Sequence, residues 1–177
     1  IGLTIDDGDK LIAARLSDGS QDLLMATRKG KSIRFKEKGV RCMGRSAAGV
    51  KALKLKKDDE IIGVDMIPDG KAAKDEQFLV VTENGFGKRT SLSAYKVQGR
   101  GGSGIKTVQV TAKTGKLASA KIVSQKVEDE DLIIISKKGQ VIRLPIKSVN
   151  ILGRATQGVR LMRFKDSDDK VSNVTFI

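Results

Sequence analysis

Residues 78–90 read Phe78-Leu79-Val80-Val81-Thr82-Glu83-Asn84-Gly85-Phe86-Gly87-Lys88-Arg89-Thr90. An apolar run too short for a typical helix enters Asn84-Gly85, two residues that tolerate the positive φ of a type I′ turn, and the chain then returns. This stretch predicts a β-hairpin. Its signature recurs where Arg28-Lys29-Gly30-Lys31 follows the run at 23–27, and where Lys137-Lys138-Gly139-Gln140 follows the run at 132–136. Gly30, Gly85 and Gly139 stand 55 and 54 residues apart, as do Gly44, Gly99 and Gly153, and Gly49, Gly104 and Gly158. Cations keep the same intervals: Arg34, Arg89 and Arg143; Arg45, Arg100 and Arg154; Lys51, Lys106 and Arg160. A period of this size marks supersecondary units that share a core with their neighbours.

Outward from the hairpin, each unit gives a returning strand such as Ser32-Ile33-Arg34-Phe35 and then a loop of about a dozen residues ending in glycines. A third strand is predicted at 50–55, 105–110 and 159–164. A fourth is predicted at 11–16, 61–67, 117–123 and 171–177. Four strands per unit at this period describe an all-β, propeller-like array of about three blades plus partial strands. The division is 1–21 as the end of a preceding repeat, then 22–75, 76–130 and 131–177, all in one domain. Ile1 falls inside what reads as a repeat strand, so the chain is expected to be part of something longer.

The 177 residues carry a net charge of +13, and the charge is sorted. Twelve Lys or Arg and one acid occupy 28–57, while 84–121 and 137–165 each hold eight and none. Carboxylates collect between these blocks, at 58–60, 69–83, 128–131 and 166–169. Blocks at one phase of a repeat are expected to merge into one basic band, which suits a polyanion with a regular backbone. Histidine is absent and Cys42 is the single cysteine, which excludes an intrachain disulfide, a Cys/His zinc site and a His-based triad. Cys42 is expected to be a half-buried filler in a reducing compartment. No apolar stretch approaches the roughly 20 residues of a spanning helix, so a soluble protein is expected.

The tracts from Ile33 to Phe35 and Val40-Arg41-Cys42-Met43-Gly44-Arg45, then Asn84 to Thr90, and Ile151-Leu152-Gly153-Arg154-Ala155-Thr156-Gln157-Gly158-Val159 carry a family likeness over nearly the whole chain. They resemble the repeat of the DNA gyrase A C-terminal domain and that of its topoisomerase IV relative. The resemblance implies a β-pinwheel, a ring or spiral of blades that exchange strands, with DNA wrapped on its basic rim. The order of repeats is similar to the second half of that domain. Gln98-Gly99-Arg100-Gly101-Gly102-Ser103-Gly104 matches five of the seven positions of the family's glycine-rich box, losing positive charge at the second and sixth. It is identified as a degenerate counterpart.

The resemblance implies sequence-independent binding and wrapping of double-stranded DNA, in support of negative supercoiling, with no catalysis by this chain. Candidate phosphate contacts are Arg45, Arg100 and Arg154, then Lys51, Lys106 and Arg160, with Lys31, Lys88, Arg89 and Arg143 near the hairpins. The glycine-rich loop is expected to let phosphates approach backbone N–H groups. No metal or cofactor is expected here, with ATP and Mg²⁺ belonging to the holoenzyme. Expected partners are DNA, the gyrase B protein and the remainder of the gyrase A protein, in a bacterial cytoplasm and at the nucleoid. No membrane or small-molecule substrate is expected. Tyr95, the single tyrosine, reads as packing rather than as a nucleophile. Gly99, Gly101 and Gly104 satisfy a dinucleotide-binding spacing, but 105–110 alternates like a strand where that motif needs a helix. A topoisomerase IV-type domain, a basic protein-interaction propeller and an RNA-binding domain are the alternatives. The few aromatic residues argue against the last of these.

Overall fold

The computed structural model describes residues 3–67, 76–124 and 130–177. Eleven strands follow in order: β1 (Asp22–Thr27), β2 (Lys31–Lys36), β3 (Ile61–Ile67), β4 (Glu76–Thr82), β5 (Phe86–Ser91), β6 (Ile105–Lys106), β7 (Leu117–Ser124), β8 (Asp131–Ser136), β9 (Val141–Pro145), β10 (Val159–Arg160) and β11 (Val171–Phe176). They form antiparallel sheets with the orders β3-β1-β2-β6, β10-β5-β4-β7 and β11-β8-β9. The all-β, propeller-type reading holds. The three predicted hairpins are β1–β2, β4–β5 and β8–β9, and Gly30, Gly85 and Gly139 take φ of +81°, +76° and +84°. Asn84 does not share the positive φ, so the turn is not the type I′ expected, and Gly85 N–H closes it on Thr82 O. A 3-10 turn follows each hairpin at the same phase, at Glu37–Gly39, Leu92–Ala94 and Ile146–Ser148.

Both faces of the middle strand are apolar, because each face meets a different neighbour. Phe78 and Val80 of β4 pack with Leu24 and Ala26 of β1, together with Leu92, Tyr95 and Leu117. Leu79 and Val81, on the opposite face, pack with Leu132 and Ile134 of β8. The core therefore lies between sheets. Each of the Leu, Ile, Val and Phe side chains so removed from water contributes about 1.5–3 kcal/mol. Tyr95 is a packing residue, as expected: its ring meets Phe78 edge-on at 5.4 Å and its hydroxyl lies 2.6 Å from Thr107 Oγ1.

The four-stranded sheets arise by strand exchange. β6 follows β5 in sequence but pairs with β2 in the first sheet, with Lys106 opposite Lys31 and Ile105 opposite Ser32. In the second sheet β10 pairs with β5, placing Val159 opposite Gly87 and Arg160 opposite Phe86. The third sheet has three strands among the described residues. At the other end of the first two sheets β3 lies against β7, so close that a Cβ on Gly63 would come within 2.7 Å of Ala120 O. That side is the inner one, and β6 and β10 form the outer edge. Glu83 links the three units: Arg28 of the first pairs with it and with Glu60, and Lys170 of the third reaches it at 3.9 Å.

Several expectations are corrected. The fourth strands form as β3, β7 and β11, but the third strands predicted at 105–110 and 159–164 shrink to two residues each. Thr107 and Val108 N–H, and likewise Leu161 and Met162 N–H, turn aside to donate to Gly30 O and Gly85 O. Residues 50–55 form no strand, and Leu53 alone bridges Gly102. Residues 11–16 are not a strand either, having no described strand to pair with. They lie over Leu23, Met25 and Met66 across a cleft of about 440 Å³, with Leu16 wholly exposed. Cys42 is exposed rather than half-buried, because the loop that carries it stands off the sheet. The acidic clusters expected at 69–75 and 128–129, and Ile1, lie outside the described residues. Among the described residues no helix is long and apolar enough to cross a membrane.

Candidate nucleic-acid interface

Exchange places cations on the outer edge. The chain reaches β6 through Gly104 at φ +64° and β10 through Gly158 at φ +84°. A Cβ on Gly104 would stand 2.5 Å from Ser32 O, so only glycine lets the two backbones meet. Lys106 then lies beside Lys31, and the Arg160 guanidinium sits 4.8 Å above the Phe86 ring. Sequence reasoning missed Lys113, whose Nζ lies 5.6 Å from the same ring, because its loop has no aligned cation in the other units.

The two loops that lead into these strands each carry an arginine held by main-chain oxygens of the preceding unit. Arg100 Nε donates to Gly39 O at 2.8 Å and its Nη1 to Lys51 O at 3.4 Å. Arg154 Nη1 donates to Lys106 O at 2.7 Å. Lys51 and Lys106 are aligned positions, so the two anchors are one device used twice. A guanidinium has five N–H donors, and these bonds leave several for an anion. Arg45, Lys51, Arg100, Lys106 and Arg160 are exposed, while Lys31 and Arg154 are half-buried. Among the described residues none of these seven is in an ion pair with a carboxylate.

The remaining three candidates do not join them. Lys88 is fully buried, and its Nζ donates to Gly153 O, Arg154 O, Thr156 O and Thr156 Oγ1 at 2.6–3.0 Å. Burial first, and the Arg154 charge second, push its pKa down to about 8. Arg89 is also buried, with Nε on Val149 O and Nη2 on Lys147 O. Arg34, aligned with it, is buried with Nε and Nη2 on Asp22 Oδ2 at 2.9 and 2.7 Å and Nη1 reaching Leu92 O and Tyr95 O. Arginines at this phase latch one sheet to the 3-10 turn of the next. Arg143 makes the corresponding pair with Asp131, but nothing described covers it and it is exposed. A side chain committed inside the protein cannot reach a phosphate, so Lys88 and Arg89 leave the list, and Arg143 has its carboxylate partner.

The degenerate box is likewise less open than expected. Gln98 N–H donates to Arg34 O, Gly101 N–H to Ala52 O, and Gly102 O accepts from Lys54 N–H. Two of the N–H groups expected to face phosphates are thus used in docking the loop onto β2 and onto residues 50–55. The glycines serve close packing, and Arg100 is what the loop presents outward. Among the described residues no group of three or more His, Cys, Asp or Glu side chains could hold a metal ion.

Comparisons agree with this architecture. A family model described as "DNA gyrase C-terminal domain, beta-propeller" matches residues 21–68, 76–124 and 130–177. The DNA gyrase A protein of Staphylococcus aureus strain MRSA252 is 41% identical over 174 residues, covering 98% of this chain and 19% of that protein. Its Staphylococcus epidermidis ATCC 12228 counterpart is 40% identical over 166 residues, covering 94% of this chain and 18% of that protein. The chain thus spans about a fifth of the length of these relatives. Among solved structures, the C-terminal domain of DNA topoisomerase IV superposes with a TM-score of 0.88 at 21% identity, covering 99% of this chain and 52% of that one. A DNA gyrase A C-terminal domain gives 0.85 at 25% identity, with coverage of 99% and 57%. Repeated hairpins, exchanged strands and the three family matches lead to one assignment: the chain belongs to the DNA gyrase C-terminal domain family.

Proposed function

We propose that this chain binds double-stranded DNA without sequence preference and wraps it along the outer edge, contributing no catalysis of its own. The observation that carries this reading is the set Arg45, Lys51, Arg100, Lys106, Arg154, Arg160 and Lys31, exposed or half-exposed cations outside the ion pairs described, two of them braced on main-chain oxygens. Bracing lowers the entropy lost when a guanidinium meets a phosphate. Bending DNA costs of order 1–10 kcal/mol per site, so several modest contacts must act together, and repetition supplies them. In the whole protein the wrapped segment would set the sign of strand passage and so support negative supercoiling. There the partners are the gyrase B protein and the rest of the gyrase A protein, with ATP and Mg²⁺ used elsewhere in the assembly, in a bacterial cytoplasm at the nucleoid.

The triple replacement of Arg45, Arg100 and Arg154 by alanine tests the reading. Each lost phosphate contact lowers the slope of log affinity against log salt by about 0.9, so the slope falls by about 3 for duplex DNA of any sequence. An unchanged slope removes these arginines from the interface, and binding that survives molar salt favours a protein partner instead. Religation of nicked circles with the protein bound reads wrapping and its hand directly.

A further inference from the structure

Lys88 is a buried cation whose four partners are neutral oxygens of one loop. An ammonium has three N–H donors, so its hydrogen bonding is saturated and nothing is left for another ligand. Burying it without a carboxylate is costly unless the surrounding dipoles replace its water. The oxygens of Gly153, Arg154 and Thr156 do so, as a ring of carbonyls does for a bound metal cation. Thr156 is knotted twice more, its Oγ1 donating to Gly153 O at 2.9 Å and its carbonyl accepting Gln109 N–H at 3.1 Å.

The internal repeat supplies a control. Ile33 and Ile142 occupy the position of Lys88 in the other two hairpins, and Gly102 occupies that of Thr156. There the loop lies over an apolar side chain, with Ile33 Cδ1 3.9 Å from where a Cβ on Gly102 would stand, and main-chain hydrogen bonds of Gln98, Gly101 and Gly102 dock it without an ammonium. The fold forms with isoleucine at this position, so the lysine serves something other than sheet formation. It draws loop 153–156 onto β5 by the carbonyl of Arg154 itself, and the Arg154 guanidinium then reaches Lys106 O.

The geometry points to Lys88 as a positioning residue, which fixes loop 153–156 and thereby aims Arg154 at the DNA backbone. This rests on the reading of Arg154 as a phosphate contact. The charged group that bears on Lys88 is Arg154; Val80 opposite it on β4, and Thr156, which it bonds, carry no charge. A phosphate that neutralises Arg154 therefore favours the ammonium and tightens its hold on the loop, and by reciprocity deprotonation of Lys88 loosens the loop and weakens the contact.

The test is Lys88→Ile, the side chain the other hairpins already carry, with Thr156→Val as a milder variant on an exposed loop. Carbon-detected NMR is expected to show the carbonyls of Gly153, Arg154 and Thr156 titrating together near pH 8 in the parent chain and flat in Lys88→Ile, while first-sheet resonances stay in place. Affinity for duplex DNA at pH 7 is expected to fall about fivefold in Lys88→Ile and about twofold in Thr156→Val. Carbonyl shifts that ignore both pH and the substitution overturn the proposal. A displaced loop with unchanged affinity also overturns it, by taking Arg154 off the track. If the parent chain binds no DNA, the functional reading fails by itself, and the carbonyl titration still reports whether Lys88 holds the loop.

Discussion

Replacing Gly85 by alanine, alongside the same change at Gly139, isolates what the exchanged strand contributes. Both glycines sit at one phase of the repeat with φ of +76° and +84°. Either substitution forces a Cβ into the left-handed region at about 1–2 kcal/mol, offset by about 0.4–1 kcal/mol from the stiffer unfolded chain. The two sites then part. A Cβ on Gly85 would stand 2.5 Å from Met162 O and 3.1 Å from Met162 Cβ, whereas on Gly139 it would meet nothing described within 4 Å. Relief of that contact pushes residues 161–162 outward and strains the bonds from Leu161 and Met162 N–H to Gly85 O, now 2.8 and 3.0 Å. Two weakened hydrogen bonds at about 1 kcal/mol each bring the loss for Gly85→Ala to about 3 kcal/mol, against about 1 kcal/mol for Gly139→Ala. Urea denaturation of the two variants beside the parent measures both. Equal losses would refute the claim that the segment after β10 is held at the Gly85 turn.

Two further outcomes follow from the interior charges. Asp22→Ala strands the buried Arg34 guanidinium and is expected to cost about 3–5 kcal/mol in a denaturation experiment, while Asp131→Ala, which strands the exposed Arg143, costs about 0–1 kcal/mol. Glu83 behaves differently with pH. Burial opposes its charge, but the Arg28 hydrogen bond, Lys116 N–H and the Arg28 and Lys170 charges outweigh burial and hold its pKa below the ordinary 4.5. Its contribution is therefore present above that pH and lost as pH falls through the folded value, so melting temperature drops more steeply below about pH 4.5 in the parent than in Glu83→Gln. Parallel curves would remove Glu83 as a link between sheets.

Much of the fold was legible because it is local. Asn84-Gly85 and its two counterparts fix three hairpins, and the period fixes how many. The exchange of β6 and β10 was not legible from these residues, since a strand carries no mark of which sheet it joins, and that choice is settled by contacts far along the chain. The site was legible in part for a related reason. Arg45, Arg100 and Arg154 and Arg34, Arg89 and Arg143 read alike as aligned cations, yet the second set is a latch in two of its three members. A signal for this was present. With Leu24 opposite Arg34 in the hairpin register, Asp22 falls diagonally beside Arg34, and Asp131 stands likewise to Arg143. Gln77 takes that place beside Arg89, whose Nε and Nη2 donate to the carbonyls of Val149 and Lys147.

Because β6 and β10 complete the sheet before their own, the segment that would be copied in a gene duplication is offset from the body that folds. Units 76–130 and 131–177 each contain one hairpin and one glycine-led short strand, β6 or β10, given to the sheet before it. An array built this way lengthens by insertion without leaving an open edge inside it, and removing one internal period lets the flanking donor and acceptor meet. The number of blades is therefore free to change between lineages while every internal junction stays satisfied.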